Sequence, residues 1–367
     1  MKYVYPPIIC ITFLLFFTSC GRNEEGRKSD KKESVGLFPV NMGGKTGFIN
    51  KEGKLIINPQ YDNASNFYDG LALVTIGGKS GYIDKEGKTV INPQFDIGGD
   101  FSEGLAAVSS GGKWGYIDKG GKYIINPQFD NVRNFSNGFA VVSIGGKAGY
   151  IDKEGKNIIN PQFDFAWDFN DDLAAVSTGS KWGFIDKEGK YIINPQFEKV
   201  RKFSDGLAVV NTGGKSGYID KEGKSIIDPQ FDAAGDFFDG IAVVTTSGKM
   251  GYIDKKGKYI INPQFDGAGN FSNGLAAVKT GGKWGFIDKE GKYIINPQFD
   301  NVWNFSNGFA VVSSGGKVGY IDKEGKYVIN PQFDNMDNFF DGLAKVTVSN
   351  KTGYIDKDGK YVWNLSN

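Results

Sequence analysis

The same phrase returns every 34 residues along most of this chain, without a single insertion. The phrase reads G-[YF]-I-[DN]-K-x-G-K. The glycines that open it are Gly47, Gly81, Gly115, Gly149, Gly183, Gly217, Gly251, Gly285, Gly319 and Gly353. A fixed period of this length is typical of an array of stacked units, in which each unit contacts mainly its neighbours. We therefore expect a long surface suited to contact with other molecules.

Composition decides what one unit is. A 34-residue period is also that of a helix-pair repeat, but each unit here contains several glycines and a proline. Its apolar clusters are β-branched and aromatic, where a helix would favour Ala, Leu and Glu. The unit is therefore predicted to be all-β.

The third complete unit illustrates the predicted strands. Leu105–Ser109 is an apolar run, and the Gly111-Gly112 pair that follows suits a tight hairpin because glycine accepts positive φ. Lys113–Asp118 is then the second strand, and a turn leads to a third strand at Tyr123–Asn126. Pro127 is expected to end that strand, since proline has no N–H to donate.

We expect ten such units over residues 36–367, the last one truncated. Phe129 and Phe135 are expected to plug the gap between units from a loop. Both terminal units contain all three predicted strands, and no unit is shared between the chain ends as in many closed propellers. The pattern thus favours three-stranded antiparallel units in an open curved or superhelical array, with a closed propeller-like ring as the alternative.

The first 35 residues differ from the array. Residues 1–19 have one lysine before a short apolar run and are predicted to be a signal peptide. Phe17-Thr18-Ser19-Cys20-Gly21 resembles a lipobox, which implies lipidation of Cys20; a plain signal peptide cut near Ser19, or a signal anchor, is the alternative. Residues 20–35 are polar and charged, which is typical of a disordered tether. We expect an exported protein of the cell envelope, anchored by lipid to a bacterial membrane.

Charge argues against a nucleic-acid partner. The formal net charge is +1, and acidic and basic residues alternate within each unit. Arginine, the preferred residue for bidentate phosphate and guanine contacts, is scarce, and the positive charge is almost all lysine. We expect no nucleic-acid binding and a monomer in solution.

Catalytic chemistry finds little support in the residue types present. The chain has no histidine, which removes the commonest general base and metal ligand. Asp84 and Glu86 form a carboxylate pair, but the pair recurs in most units as part of a turn. Asp96, Asp100 and Glu103 match no calcium-loop spacing. We therefore predict a non-enzyme without cofactor or metal.

Three units carry the sequence K-W-G-[YF]-I-D followed by G-K-Y-I-I-N-P-Q-F. They are Lys113–Asp118, Lys181–Asp186 and Lys283–Asp288. This phrase resembles the bacterial WG (KWG) repeat family, and the likeness extends over all ten units. The resemblance implies an all-β repeat that mediates interactions in exported proteins, and it supplies no catalytic residue.

Function is expected at the positions that vary against this repeating background. One is the tryptophan position of the phrase, which is Thr, Ser, Ala, Met or Val in other units. Another follows the linker aspartate by three residues and holds Arg, Gly, Trp, Ser or Asp, so it is predicted to be exposed. Trp and Arg dominate binding hot spots. The candidate partner-binding residues are Trp114, Trp182, Trp284, Arg133, Trp167, Arg201 and Trp303. A protein partner is the first hypothesis, and a carbohydrate or cell-wall glycan on aromatic platforms is the second.

Overall fold

The structure, a computed structural model, describes residues 36–366, and every regular element in that range is a β-strand. The predicted signal peptide, Cys20 and the tether lie outside the described residues. The strands form ten separate antiparallel sheets, one for each repeat, which we call blades 1–10. The all-β repeat architecture predicted from the sequence is confirmed.

The first five blades have these strands. Blade 1 comprises β1 (Phe38–Met42), β2 (Lys45–Ile49) and β3 (Leu55–Tyr61). Blade 2 comprises β4 (Asn63–Tyr68), β5 (Leu71–Ile76), β6 (Lys79–Ile83) and β7 (Thr89–Phe95). Blade 3 comprises β8 (Ile97–Gly98), β9 (Ala106–Ser110), β10 (Lys113–Ile117) and β11 (Tyr123–Phe129). Blade 4 comprises β12 (Asn131–Val132), β13 (Ala140–Ile144), β14 (Lys147–Ile151) and β15 (Asn157–Phe163). Blade 5 comprises β16 (Phe165–Ala166), β17 (Ala174–Thr178), β18 (Lys181–Ile185) and β19 (Tyr191–Phe197).

The remaining blades repeat the same order. Blade 6 comprises β20 (Lys199–Val200), β21 (Ala208–Thr212), β22 (Lys215–Ile219) and β23 (Ser225–Phe231). Blade 7 comprises β24 (Ala233–Ala234), β25 (Ile241–Thr246), β26 (Lys249–Asp254) and β27 (Tyr259–Phe265). Blade 8 comprises β28 (Gly267–Ala268), β29 (Ala276–Thr280), β30 (Lys283–Ile287) and β31 (Tyr293–Phe299). Blade 9 comprises β32 (Asn301–Val302), β33 (Ala310–Ser314), β34 (Lys317–Ile321) and β35 (Tyr327–Phe333). Blade 10 comprises β36 (Asn335–Met336), β37 (Ala344–Val348), β38 (Lys351–Ile355) and β39 (Tyr361–Ser366).

Each blade from 2 to 10 has four strands, so the predicted three-stranded unit is wrong by one strand. The predicted hairpin is present: in blade 3 Ser110 pairs with Lys113, and Gly111 and Gly112 both have positive φ. The additional strand comes from the linker, where Asn131 and Val132 pair with β13 of the following blade. One residue, Asp130, separates β11 of blade 3 from β12 of blade 4.

The last strand of each blade also differs from the prediction, because it runs through the proline. In blade 3 the strand continues to Phe129, and the register shifts between the pair Trp114–Phe129 and the pair Tyr116–Ile125. Pro127 therefore lies in a β-bulge, where no ladder hydrogen bond is required of it. A Cβ on Gly115 would lie 2.7 Å from the nitrogen of Pro127. The close approach of the bulged strand explains why glycine opens the repeated phrase.

The core lies between blades, as the loop phenylalanines predict. In blade 3 the buried Tyr116 packs against Phe135 of blade 4, with ring centroids 4.8 Å apart. The same pair recurs at 4.9 Å for Tyr82 and Phe101, and at 4.7 Å for Tyr218 and Phe237. Each core cluster therefore joins two consecutive blades.

The linker carboxylate joins consecutive blades in a second way. The carboxylate of Asp96 accepts a hydrogen bond from Lys79 Nζ of blade 2 at 2.6 Å. Its other oxygen accepts one from the backbone N–H of Gly111 in blade 3 at 2.8 Å. These hydrogen bonds hold the pKa of Asp96 below its ordinary value.

The ten blades close into a ring, so the predicted open array is wrong and the alternative is confirmed. Tyr354 in blade 10 donates a hydrogen bond to the carbonyl of Pro39 in blade 1 at 2.9 Å. Lys51 of blade 1 forms an ion pair with Asp341 of blade 10 at 2.5 Å. The two residues occupy the same repeat positions as Lys153 and Glu103, which pair between the consecutive blades 4 and 3. Phe38, Val40 and Ile49 of blade 1 share a core cluster with Leu343 and Tyr354. The architecture is a ten-bladed β-propeller that closes without a shared blade.

Candidate interaction surface

The variable linker position forms one row along the first-strand edge of the blades. We call this row the variable ring. It consists of Ser65, Gly99, Arg133, Trp167, Arg201, Gly235, Gly269, Trp303 and Asp337. Members of the ring lie close to the next blade, as two of its glycines show. A side chain added at Gly99 would place its Cβ 3.5 Å from Asn134 Oδ1 of blade 4, and one added at Gly269 would place its Cβ 3.4 Å from Asn304 Oδ1 of blade 9.

Backbone hydrogen bonds hold this row whatever its side chains are. The N–H of Arg133 donates to the carbonyl of Val141, and that of Trp303 donates to Val311, both at 2.9 Å. On the other side the carbonyl of Arg133 accepts the hydroxyl proton of Tyr116 in the preceding blade at 2.7 Å. Burial raises the pKa of Tyr116, so its hydroxyl stays protonated and remains a donor. At Arg133 and Trp303 these hydrogen bonds use only main-chain atoms, so they do not depend on the identity of the side chain. At Ser65 the side chain also takes part, since its Oγ accepts a hydrogen bond from the N–H of Leu73.

Both arginines of the ring contact a carboxylate of the following blade. Arg201 Nε lies 2.8 Å from Asp236 Oδ1, and Arg133 Nη1 lies 3.7 Å from Asp168 Oδ2. Asp236 is only 8% exposed, so Arg201 compensates a buried charge. Burial raises the pKa of Asp168, an effect that Arg133 partly opposes. Sequence reasoning identified the arginines but missed these acidic partners, which lie one residue beyond the variable position.

The two ring tryptophans differ in exposure. Trp303 is 40% exposed. Trp167 is half-buried, with its ring 5.5 Å from that of Trp182 in an edge arrangement. Phe165, which the sequence did not single out, is 66% exposed and stacks on Trp182 at 6.4 Å. Blade 5 therefore places three aromatic rings together, of which Phe165 is the most accessible.

The three tryptophans of the repeated phrase are half-buried and pack on their own junctions. Trp114 lies against the core cluster with Val132 of the next blade, and Trp284 does the same with Val302. Lys279 Nζ lies 5.9 Å from the ring centre of Trp284, within cation–π range. Much of each indole surface is thus covered by the protein itself.

The described residues contain no cluster of three or more Cys, Asp and Glu residues that is arranged to hold a metal ion. No helix among residues 36–366 is long and apolar enough to cross a membrane. The arrangement of the ring, with cationic and aromatic side chains on a fixed backbone, suits contact with another molecule.

Together these features define a class: a repeat β-propeller whose blades share one scaffold and differ at a surface ring. The family model described as "WG containing repeat" matches nine times, at residues 47–79, 81–114, 114–147, 149–182, 182–215, 217–249, 250–284, 284–317 and 319–351. The chain belongs to this WG-repeat family. No functionally curated protein matches its sequence.

Three solved structures illustrate what this chain resembles. A crystal structure of a eukaryotic initiation factor has a TM-score of 0.54 and 10% identity, covering 91% of this chain and 98% of that one. Hsv2p of Kluyveromyces lactis has a TM-score of 0.39 and 12% identity, covering 65% and 97%. BamB from Moraxella catarrhalis has a TM-score of 0.36 and 11% identity, covering 88% and 92%. Of the three, only the initiation factor has a TM-score above 0.5, and at 10% identity its likeness concerns the fold alone.

Proposed function

We propose that this protein is a non-catalytic scaffold that binds a protein partner through its variable ring. The observation that carries the proposal is the separation of roles at Arg133, Trp167, Arg201 and Trp303. Their main-chain atoms make the hydrogen bonds that the repeat requires, while the side chain differs from blade to blade. The side chains of Arg133 and Trp303 remain exposed. Arg and Trp are the residue types most enriched in binding hot spots.

A protein is the preferred partner over a cell-envelope glycan. A sugar platform needs open aromatic faces in a row, and the indoles of Trp114, Trp182 and Trp284 are packed at their blade junctions. The exposed rings at or beside the variable ring, Phe165 and Trp303, belong to blades 5 and 9, which are not neighbours. The side chains of Arg133 and Arg201 are each paired with an aspartate but remain about half-exposed, so their free N–H groups can donate to acidic side chains of a partner.

The proposal places the protein in the cell envelope as a monomer, exported and held at a bacterial membrane by lipid on Cys20. The sequence before the array supports this part. A Cys20→Ala variant should leave the membrane fraction and lose the mobility shift of lipidation. Membrane retention with unchanged mobility would contradict the anchor.

Crosslinking in intact cells followed by affinity capture tests the binding role. The double variant Arg133→Ala, Trp303→Ala removes two exposed ring side chains and should reduce the captured partner at least tenfold. The control Lys122→Ala, Lys292→Ala removes two exposed side chains outside the ring and should capture as much as the wild type. Equal capture by both double variants would contradict the proposal, and retention on purified peptidoglycan would favour the glycan alternative.

A further inference from the structure

One tryptophan position of the repeat is occupied by alanine at a place where the structure has an open cleft. The cleft has a volume of about 270 Å³ and lies between blades 4 and 5. Its lining includes Val132, Arg133, Val142, Ala148, Asp164 and Phe165.

The other blades show which group fits this place. In blades 3, 5 and 8 the equivalent residues are Trp114, Trp182 and Trp284, and each indole packs at the junction with the following blade. There it shares a core cluster with a valine of that blade's first strand, namely Val132, Val200 and Val302. In blade 4 both partners are small, since Ala148 replaces the tryptophan and Ala166 replaces the valine.

The walls of the cleft suit an aromatic guest. Phe165 is the most exposed large apolar side chain of the described residues, and one face of its ring stacks on Trp182. An incoming ring beside Phe165 would gain an aromatic pair, and Arg133 at the rim would lie within reach of its face. The volume is below the ~300–1,000 Å³ typical of pockets that enclose whole small molecules, so it suits one side chain of a larger partner.

From this internal template we infer that the cleft at Ala148 is a docking site for a tryptophan side chain of a partner protein. The partner's indole would occupy the place that the chain's own indole occupies in blades 3, 5 and 8. This inference rests on the proposed binding role and specifies one anchor point within it, next to Arg133 of the variable ring.

The test uses 5-fluoroindole as the probe and follows its fluorine NMR signal with the full-length protein. A fragment of this size in a partly open cleft should bind with a Kd on the order of 1–10 mM. Ala148→Trp should fill the cleft with the chain's own indole and weaken binding at least tenfold, without loss of thermal stability, because three blades already accommodate tryptophan there. The matched control is Thr352→Trp, at the same position of blade 10, which should bind like the wild type.

A second variant keeps the test decisive if Ala148→Trp does not fold. Phe165→Ala removes an exposed wall of the cleft, outside the buried core, and should weaken binding about fivefold. Absence of binding up to about 10 mM, equal binding by Ala148→Trp, or equally strong binding of cyclohexanol would overturn the inference. Those results would leave the capture experiment on the ring variants unaffected, so failure of the docking site and failure of the binding role can be told apart.

Discussion

Nine of the ten blade junctions are crossed by the chain, whereas the junction between blades 10 and 1 joins β39, which ends at Ser366, to β1, which begins at Phe38. At a linked junction such as that of blades 3 and 4, Asp130 connects the two sheets and Phe135 plugs the space above Tyr116. At the unlinked junction, which we call the seam, the equivalents of these linker positions fall outside the described residues.

Two side chains at the seam, Phe38 and Trp363, are larger than the residue at the equivalent position of every other blade. Phe38 stands where every later blade has alanine, and its ring lies 5.5 Å from Tyr354. The ring centroid of Phe340 lies 6.4 Å from that of Phe38, although an aromatic residue also occupies this position in blades 2 and 7, as Tyr68 and Phe238. Trp363 replaces the isoleucine of all earlier blades and packs against the same cluster.

This comparison shows two ways of holding equivalent interfaces. Where the chain crosses, a tethered phenylalanine and a linker carboxylate are sufficient, and the neighbouring β-strand carries small alanines. Where it does not cross, aromatic volume supplies the contacts that the tether would otherwise bring into place. The register is nevertheless the same, since Lys51 and Asp341 reproduce the Lys153–Glu103 pair.

The largest effect is expected from Phe38→Ala, which gives blade 1 the residue of all other blades. Phe38 is 3% exposed, and removal of such a ring should lower the free energy of unfolding by about 3–5 kcal/mol. Denaturant unfolding measures the loss, and hydrogen exchange should accelerate in β1 and β38 first. A loss below about 1 kcal/mol would mean that Phe38 does not fill the seam.

The reciprocal change, Ala140→Phe, places the seam residue in a linked junction. Ala140 is fully buried beside Phe135, so the added ring should overpack the core and cost about 1–3 kcal/mol. Thermal unfolding compared with wild type measures the effect. A stabilised variant would show that a linked junction can accommodate a phenylalanine ring at this position as the seam does.

Acid should weaken the linked junctions. Hydrogen bonds from lysine and from backbone N–H groups hold the pKa values of eight linker aspartates below the ordinary value: Asp62, Asp96, Asp130, Asp164, Asp232, Asp266, Asp300 and Asp334. A group whose pKa is lower in the folded state stabilises the fold above its unfolded pKa, about 3.9, and loses that contribution as pH falls through the folded pKa. Stability should therefore decline below about pH 4, with a shallower decline in Asp130→Asn. A pH-independent melting temperature between pH 2.5 and 6 would contradict this role.

The smallest effect is expected from the exposed ion pairs. Lys51→Met at the seam and Lys153→Met at a linked junction should each cost at most about 1 kcal/mol, because both lysines are about half-exposed and water screens the charges. Unfolding curves of the two variants should agree within error. A clearly larger loss for Lys51→Met would make the ion pair, rather than the aromatic cluster, the main contact of the seam.

Much of the blade could be predicted from local signals. The Gly111-Gly112 hairpin follows from the need for positive φ, and the burial of Phe129 and Phe135 follows from their apolar character. The first strand of blades 3–10 was not predicted, because a strand of two residues is too short to show an alternation of apolar and polar residues. Pro127 was misread as a stop because a bulge, which depends on Gly115 in the neighbouring strand, is not visible in the strand's own sequence.

The sequence analysis predicted an open array because no blade is shared between the two chain ends, and a shared blade was the feature expected of a closed ring. The residue that does indicate closure is Phe38, which stands in place of alanine. Its role can be recognised only when the structure shows Tyr354 of blade 10 beside it. The same limit applies to the candidate site. The variable positions were readable as departures from the repeat, whereas Asp236 and Asp168, which pair with them across blades, depend on the packing of one sheet against the next.

The central claim, that blade 1 closes directly on blade 10, can be tested without any substitution. A carbodiimide joins a lysine amine to a carboxylate only when the two are in direct contact, and mass spectrometry of the monomeric fraction locates the link. We predict a Lys51–Asp341 link together with the Lys153–Glu103 link between consecutive blades, since the two pairs are 2.5 and 3.1 Å apart. Recovery of the Lys153–Glu103 link without the Lys51–Asp341 link would show an open array and contradict the closed ring.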